Sequence, residues 1–196
     1  MGIGKERLAA FSDGVVAIII TIMVLELKAP RGTSLADLIP VLPGFLSYVL
    51  SFIYVGIYWN NHHHFLALSR SVTGPILWAN LHLLFWLSVV PFASAWMGEH
   101  TLATVPVALY GGVLIMNAVA FTLLTSLLAR HEGPDSALAR ALGRDRKGKV
   151  SLAIYAVAIG LAFVQPAASL ALYVVVAAIW FLPDRRVERI LGAPSA

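Results

Sequence analysis

The chain has no cysteine and little charge. The first absence removes disulfides, thiolate metal sites and cysteine nucleophiles, and says little about compartment. The second is more informative. Only 12% of the 196 residues are charged while 59% are hydrophobic, and the mean hydropathy is +0.83, which does not describe a soluble domain of this length. The solvent expected for this chain is a bilayer. A pI near 9.6 invites a nucleic-acid reading, but Lys and Arg sit in loops between apolar runs, where membrane orientation accounts for them. No binding of nucleic acid is expected. Internal duplication is also lacking, because the pattern R-x-x-x-F-S-D, carried by Arg7, Phe11, Ser12 and Asp13, occurs once. Lys5 and Arg7 before an apolar run imitate a secretory signal. Asp13 lies at the start of that run, however, and Pro30 follows Ala29 where cleavage would be needed, so a retained helix is expected.

What the chain does contain is apolar runs of membrane length. Hydropathy places spans at 8–27, 42–62, 76–97, 105–129, 150–164 and 167–182, giving one all-α membrane domain of six spans over residues 1–196. Merging the last two would need a helix of about 50 Å against a hydrocarbon core of about 30 Å. Gln165 and Pro166 supply the break, since proline cannot continue the backbone ladder and biases the residue before it away from helix.

Orientation follows from the basic residues. With both ends on one side, that side collects Lys5, Arg7, Arg70, Arg130, Arg140, Arg144, Arg146, Lys147, Lys149, Arg185, Arg186 and Arg189. Lys28 and Arg31 remain opposite, so both termini are expected in the cytoplasm. The short outer loop contains Pro30, Gly32 and Ser34, the last a candidate helix cap. In the long cytoplasmic stretch from Arg130 to Lys149, the spacing of Ala137, Leu138, Ala141 and Leu142 predicts an amphipathic surface helix.

Polar groups inside the spans concentrate in the first half: Ser12, Asp13 and Thr21, then Asn60 to His64, then Asn80 and His82. Chemistry or conduction is expected there, because ionisable groups next to an apolar span are costly unless partnered. Spans four to six, rich in Ala, Gly, Val and Leu, read as a lipid-facing scaffold whose small residues permit close packing. Imidazoles at His62, His63 and His64 suggest a metal, but adjacent helical residues point in different directions and no cysteine or carboxylate cluster completes a ligand shell. The simpler expectation has the first histidines hydrogen-bonded inside the bundle and His64 at the cytoplasmic interface. Ser12, Asp13 and a remote histidine resemble a catalytic triad only superficially. No nucleophile elbow or pair of acid and base carboxylates accompanies them, so no enzyme is expected. Along the first span, Ile18, Thr21, Ile22 and Leu25 form one stripe, with Asp13 about 140° around the helix from Ile18. Periodicity alone leaves that stripe open to ordinary packing, lipid contact or the lining of a narrow axis.

The Arg7, Phe11, Ser12, Asp13 cluster opens an Ile-, Val- and Thr-rich first span. Trp59 with His62 and His63 follows at the end of the second span, and Pro91 with Phe92 in the third. Together they resemble the transmembrane protein 175 family of endolysosomal potassium channels, in its bacterial single-repeat form. The resemblance covers roughly the first half of the chain, and later spans match only in hydropathy. It implies a channel whose first spans converge on an axis, with two six-span repeats per chain in animal forms and one in bacterial forms. Four chains would then assemble as a homotetramer in the lipid bilayer. The resemblance also implies an apolar constriction at Ile18 with a further ring at Leu25 and a hydroxyl layer for cation preference at Thr21; Ile22, on the same stripe, is a further candidate for the pore lining. Arg7, Phe11, Ser12 and Asp13, with Asn60, His62, His63 and Asn80, are read as the motif and helix-packing network. The chain has no T-V-G-Y-G filter, in keeping with a constriction built from side chains. Ala17 stands where animal repeats can carry a serine, so the expectation is a potassium-permeable pore with modest selectivity over sodium. No cofactor is expected beyond the permeating cation, and the setting is the plasma membrane of a bacterium. A proton-linked carrier using Asp13 and the histidines, or a non-conducting scaffold, are the competing readings. A carrier would show internal repeats and broken helices at the bilayer midplane, and neither is evident.

Overall fold

The computed structural model describes residues 4–143 and 146–181, apart from the side chains of Ala141 and Arg146. Arg144, Leu182 at the end of the last expected span and the arginines at 185, 186 and 189 lie outside the described residues, as do both chain ends. The elements are α1 (Lys5–Leu25), a 3-10 segment (Leu35–Val41), α2 (Leu42–Leu68), α3 (Gly74–Glu99), α4 (Thr104–Glu132), α5 (Ala137–Leu142), α6 (Arg146–Ala162) and α7 (Pro166–Phe181). Proline opens several of them: Pro43, Pro75 and Pro166 occupy the first or second helical position, where no intrahelical N–H is required. The turn between α6 and α7 spans residues 163–165, immediately before Pro166. Four stretches are long and apolar enough to cross a membrane: α1, α2 with its preceding 3-10 segment, α3 and α4. The apolar α6 and α7 are shorter, at 17 and 16 residues.

The core is centred on α4, which packs against α3 on one side and against α6 and α7 on the other. Tyr110, Leu114, Leu124 and Leu128 are buried there. This corrects the expectation that the fourth span belongs to a lipid-facing layer, although the small residues act as expected. A Cβ at Gly111 would collide with the Tyr173 hydroxyl of α7, so glycine permits that approach. At the α2–α3 crossing, a Cβ on Gly98 would lie 2.8 Å from the Gly44 Cα. Hydroxyls join the same helices. Ser51 Oγ donates to Ser94 Oγ at 2.8 Å and lies 2.9 Å from the Tyr110 hydroxyl, while Tyr54 donates to the Tyr173 carbonyl at 2.5 Å. In hydrocarbon such pairs satisfy groups that water cannot reach.

On the side of the bundle where α1 starts and α2 and α4 end, three elements are knotted. Lys5 Nζ donates to the carbonyls of Ala67 and Ser69 at 3.3 and 2.9 Å. The largely buried Glu132 carboxylate accepts from the Arg70 N–H at 2.7 Å and from Ser69 Oγ at 3.0 Å. The periodic stretch after it forms α5, whose N-cap Ser136 accepts from the Ala139 N–H at 3.0 Å. Leu138 is buried and α5 rests on α4 and α2, so its apolar side faces protein. Ser34 occupies the N-cap position of the 3-10 segment, as expected, and there its N–H donates to Asp37 Oδ2 at 2.9 Å.

Candidate functional site

Helix α1 is at the edge of this bundle and, among the described elements, touches only α2 and α3. Its inward face carries Leu8, Ser12, Val16, Ile19 and Met23, spaced three or four apart and all buried. The opposite face carries Phe11, Ile18, Thr21, Ile22 and Leu25, all exposed, with Ile18 at 59% and Leu25 at 81%. One face is thus locked to the protomer and the other, apolar with a single hydroxyl, is uncovered by it.

The lock is a buried polar relay across three helices. Asn80 of α3 donates through Nδ2 to Ser12 Oγ of α1 at 3.0 Å and accepts through Oδ1 from His62 Nε2–H of α2 at 2.6 Å. The Ser12 hydroxyl donates to the Leu8 carbonyl at 2.9 Å. Because the amide of Asn80 is committed as donor to Ser12, its oxygen fixes the His62 tautomer with the proton on Nε2. Ser12, His62 and Asn80 are 1%, 5% and 0% exposed, so each polar atom depends on the others for a partner. Next to the relay, Asp13 accepts from the Trp59 indole N–H at 2.8 Å.

Other expected members of the network lie elsewhere. Arg7 is exposed and its guanidinium has no hydrogen bond or ion pair among the described residues, so Asp13 is held by Trp59 and not by Arg7. Asn60 is exposed. His63 is exposed too, with its ring 6.1 Å from those of Trp59 and His64, which corrects the expectation that more than one histidine bonds inside the bundle. Phe11 belongs to the uncovered stripe, and His82 accepts from the Trp86 indole at 2.9 Å. Among the described residues no group of three His, Cys, Asp or Glu side chains could hold a metal ion.

On the open face, Thr21 Oγ1 donates to the Ile18 carbonyl one turn earlier at 2.8 Å, which turns the hydroxyl's lone pairs outward as acceptors. A groove of about 480 Å³ runs between α1 and α3 beside this stripe, bounded by Ile18, Ile22, Pro91 and Phe92. Two residues outside the candidate set prove structurally important. Trp59 partners Asp13, as an indole at the polar end of a span can. Asn117, an amide in the middle of an apolar span, donates to the Trp86 carbonyl at 3.2 Å, five residues before Pro91. Its place at membrane depth was the signal for it.

Comparison with known proteins adds an independent line. Residues 7–91 match the family described as "Endosomal/lysosomal potassium channel TMEM175". The chain is 54% identical to a potassium channel of Chryseobacterium sp. (strain P1-3), over 95% of this chain and 97% of that protein. It is 34% identical to a potassium channel of Streptomyces collinus, over 84% and 85%. The human protein named endosomal/lysosomal proton channel TMEM175 matches at 33% over 46% of this chain and 20% of its own length. Among solved structures, a lysosomal potassium-selective channel TMEM175 homolog from Chamaesiphon minutus superposes with a TM-score of 0.77 at 30% identity, covering 93% of this chain and 97% of that one. The matched segment carries the Ser12, His62 and Asn80 relay, and near-full-length agreement extends to sequence and fold alike, so the chain belongs to the TMEM175 family of membrane ion channels.

Proposed function

We propose that this protein is a potassium-permeable cation channel that conducts passively along an axis lined by α1 from four copies of the chain. The observation that carries the reading is the division of α1 into a face bonded to its own protomer and an uncovered apolar face with one hydroxyl layer. Ile18 forms the narrowest ring. Closed, it is too narrow and dry for a hydrated ion, since dehydration without compensating ligands is prohibitively costly. Thr21 offers oxygen ligands one turn on, and Leu25 forms the further apolar ring. The helices cross the bilayer six times, with both ends in the cytoplasm of a bacterium and the protein in its plasma membrane. Selectivity for potassium over sodium is modest, because Ala17 adds no second hydroxyl layer. The names of the close bacterial relatives support potassium as the permeating ion.

A second permeant deserves measurement because vertebrate relatives are named proton channels. Purified protein in liposomes tests the reading: potassium efflux is expected, weaker but present with sodium as the driven ion. Proton flux measured in the same vesicles, with no potassium gradient, separates proton permeation from potassium permeation. Flux that saturates and requires proton exchange identifies a carrier, and vesicles as tight as protein-free ones identify a scaffold.

A further inference from the structure

We propose that Glu26 sets an electronegative outer mouth that concentrates cations at the entrance of the pore, an inference that rests on the reading of α1 as the pore helix. Glu26 is the C-cap of α1, directly after Leu25 of the open stripe, with φ −75° and ψ −10°. Its position breaks a local rule. A helix C-terminus carries about half a negative charge and favours cations, so a carboxylate there is disfavoured. The last turn of α1 nevertheless contains no basic residue. Glu26 is exposed, and among the described residues its carboxylate has no hydrogen bond or ion pair. An unfavourable placement without a compensating contact is what a functional charge leaves behind.

The surrounding charges maintain it. Lys28, two residues on, would neutralise Glu26, but its ammonium is drawn across to Glu99 at the end of α3. Asp37 is taken up by Ser34. Arg31 lies in the exposed bend that follows Pro30, and His100 is the C-cap of α3. Glu26 also borders two open spaces beside α1: the groove that contains Ile18 and Ile22, and a cleft of about 820 Å³ with Met23, Phe45 and Pro91 in its walls. The carboxylate therefore stands where solvent reaches the stripe. Repeated around an axis, it adds to the helix ends a ring of negative potential, which raises local cation concentration and entry rate and falls with ionic strength.

Single-channel potassium current in planar bilayers distinguishes this from a structural role. At about 10 mM salt, where the screening length is about 30 Å, Glu26→Gln should carry about two- to three-fold less current than the wild type. The two should converge at about 1 M, where screening falls to about 3 Å. Charge alone fixes the direction of two further variants. Lys28→Gln should raise the low-salt current, and Glu99→Gln, which releases Lys28 to Glu26, should lower it. Equal low-salt currents for Glu26→Gln and the wild type would overturn the proposal, as would a shift of all three variants in one direction. If the wild-type protein itself carried no current at either salt concentration, the channel reading would fail first, and this inference with it.

Discussion

Thr21 shows how much one side chain can decide. Its hydroxyl proton is spent on the Ile18 carbonyl, so what faces the open side is an oxygen acceptor fixed in direction by its own helix. An acceptor of that kind partly replaces the hydration shell of a passing ion, and a methyl group cannot. Thr21→Val keeps the shape and removes the oxygen. The reversal potential in a sodium and potassium gradient should then move toward zero preference while current persists; an unchanged reversal potential would exclude Thr21 from selectivity. Residue identity was also where sequence reasoning met its limit. His62 and His63 are neighbours in the chain but about 100° apart around a helix, so one reaches Asn80 and the other is exposed. Periodicity located the histidine run without distinguishing which member faces inward. The same holds for Asp13, whose partner proved to be an indole on another helix and not the arginine nearer in sequence.

At the scale of elements, α1 packs on α2 and α3 through its buried inward face, and one polar relay is set into that seam. The relay of Ser12, Asn80 and His62 joins α1, α3 and α2 with all three side chains buried, so removing its centre strands a donor on His62 and an acceptor on Ser12. Asn80→Leu preserves volume and removes both bonds. Interhelical hydrogen bonds in membranes are individually modest, and a loss of about 1–2 kcal/mol is expected, read as a lower thermal midpoint of the purified protein in detergent. An unchanged midpoint would show that the relay does not tether α1. One element boundary was well marked in the sequence, where backbone chemistry speaks: Pro166 opens α7. The burial of α4 was not. Lipid tails are as apolar as leucine, so a run of Ala, Gly, Val and Leu reads alike whether it faces lipid or protein. Only Asn117, an amide at membrane depth, hinted that this helix lies inside.

At the scale of the whole molecule, the proposed topology of six crossings with both ends inside would place the α4–α6 connection in the cytoplasm. A cysteine introduced at Ser136, in a chain that has none of its own, should resist an impermeant thiol reagent added outside intact cells. Labelling there would invert or break the topology. The central claim is that four copies of α1 close the pore at Ile18. Ile18→Asn would place amides around the axis, where they hold water and offer oxygens to an ion. Ile22 is the control, one position beyond Thr21 on the same open face. The measurement is basal potassium flux in reconstituted vesicles at matched protein amount and matched tetramer fraction. The account predicts that Ile18→Asn raises the leak well above wild type and Ile22→Asn much less. A wild-type leak in Ile18→Asn together with a raised leak in Ile22→Asn would contradict it and move the gate one helical turn deeper.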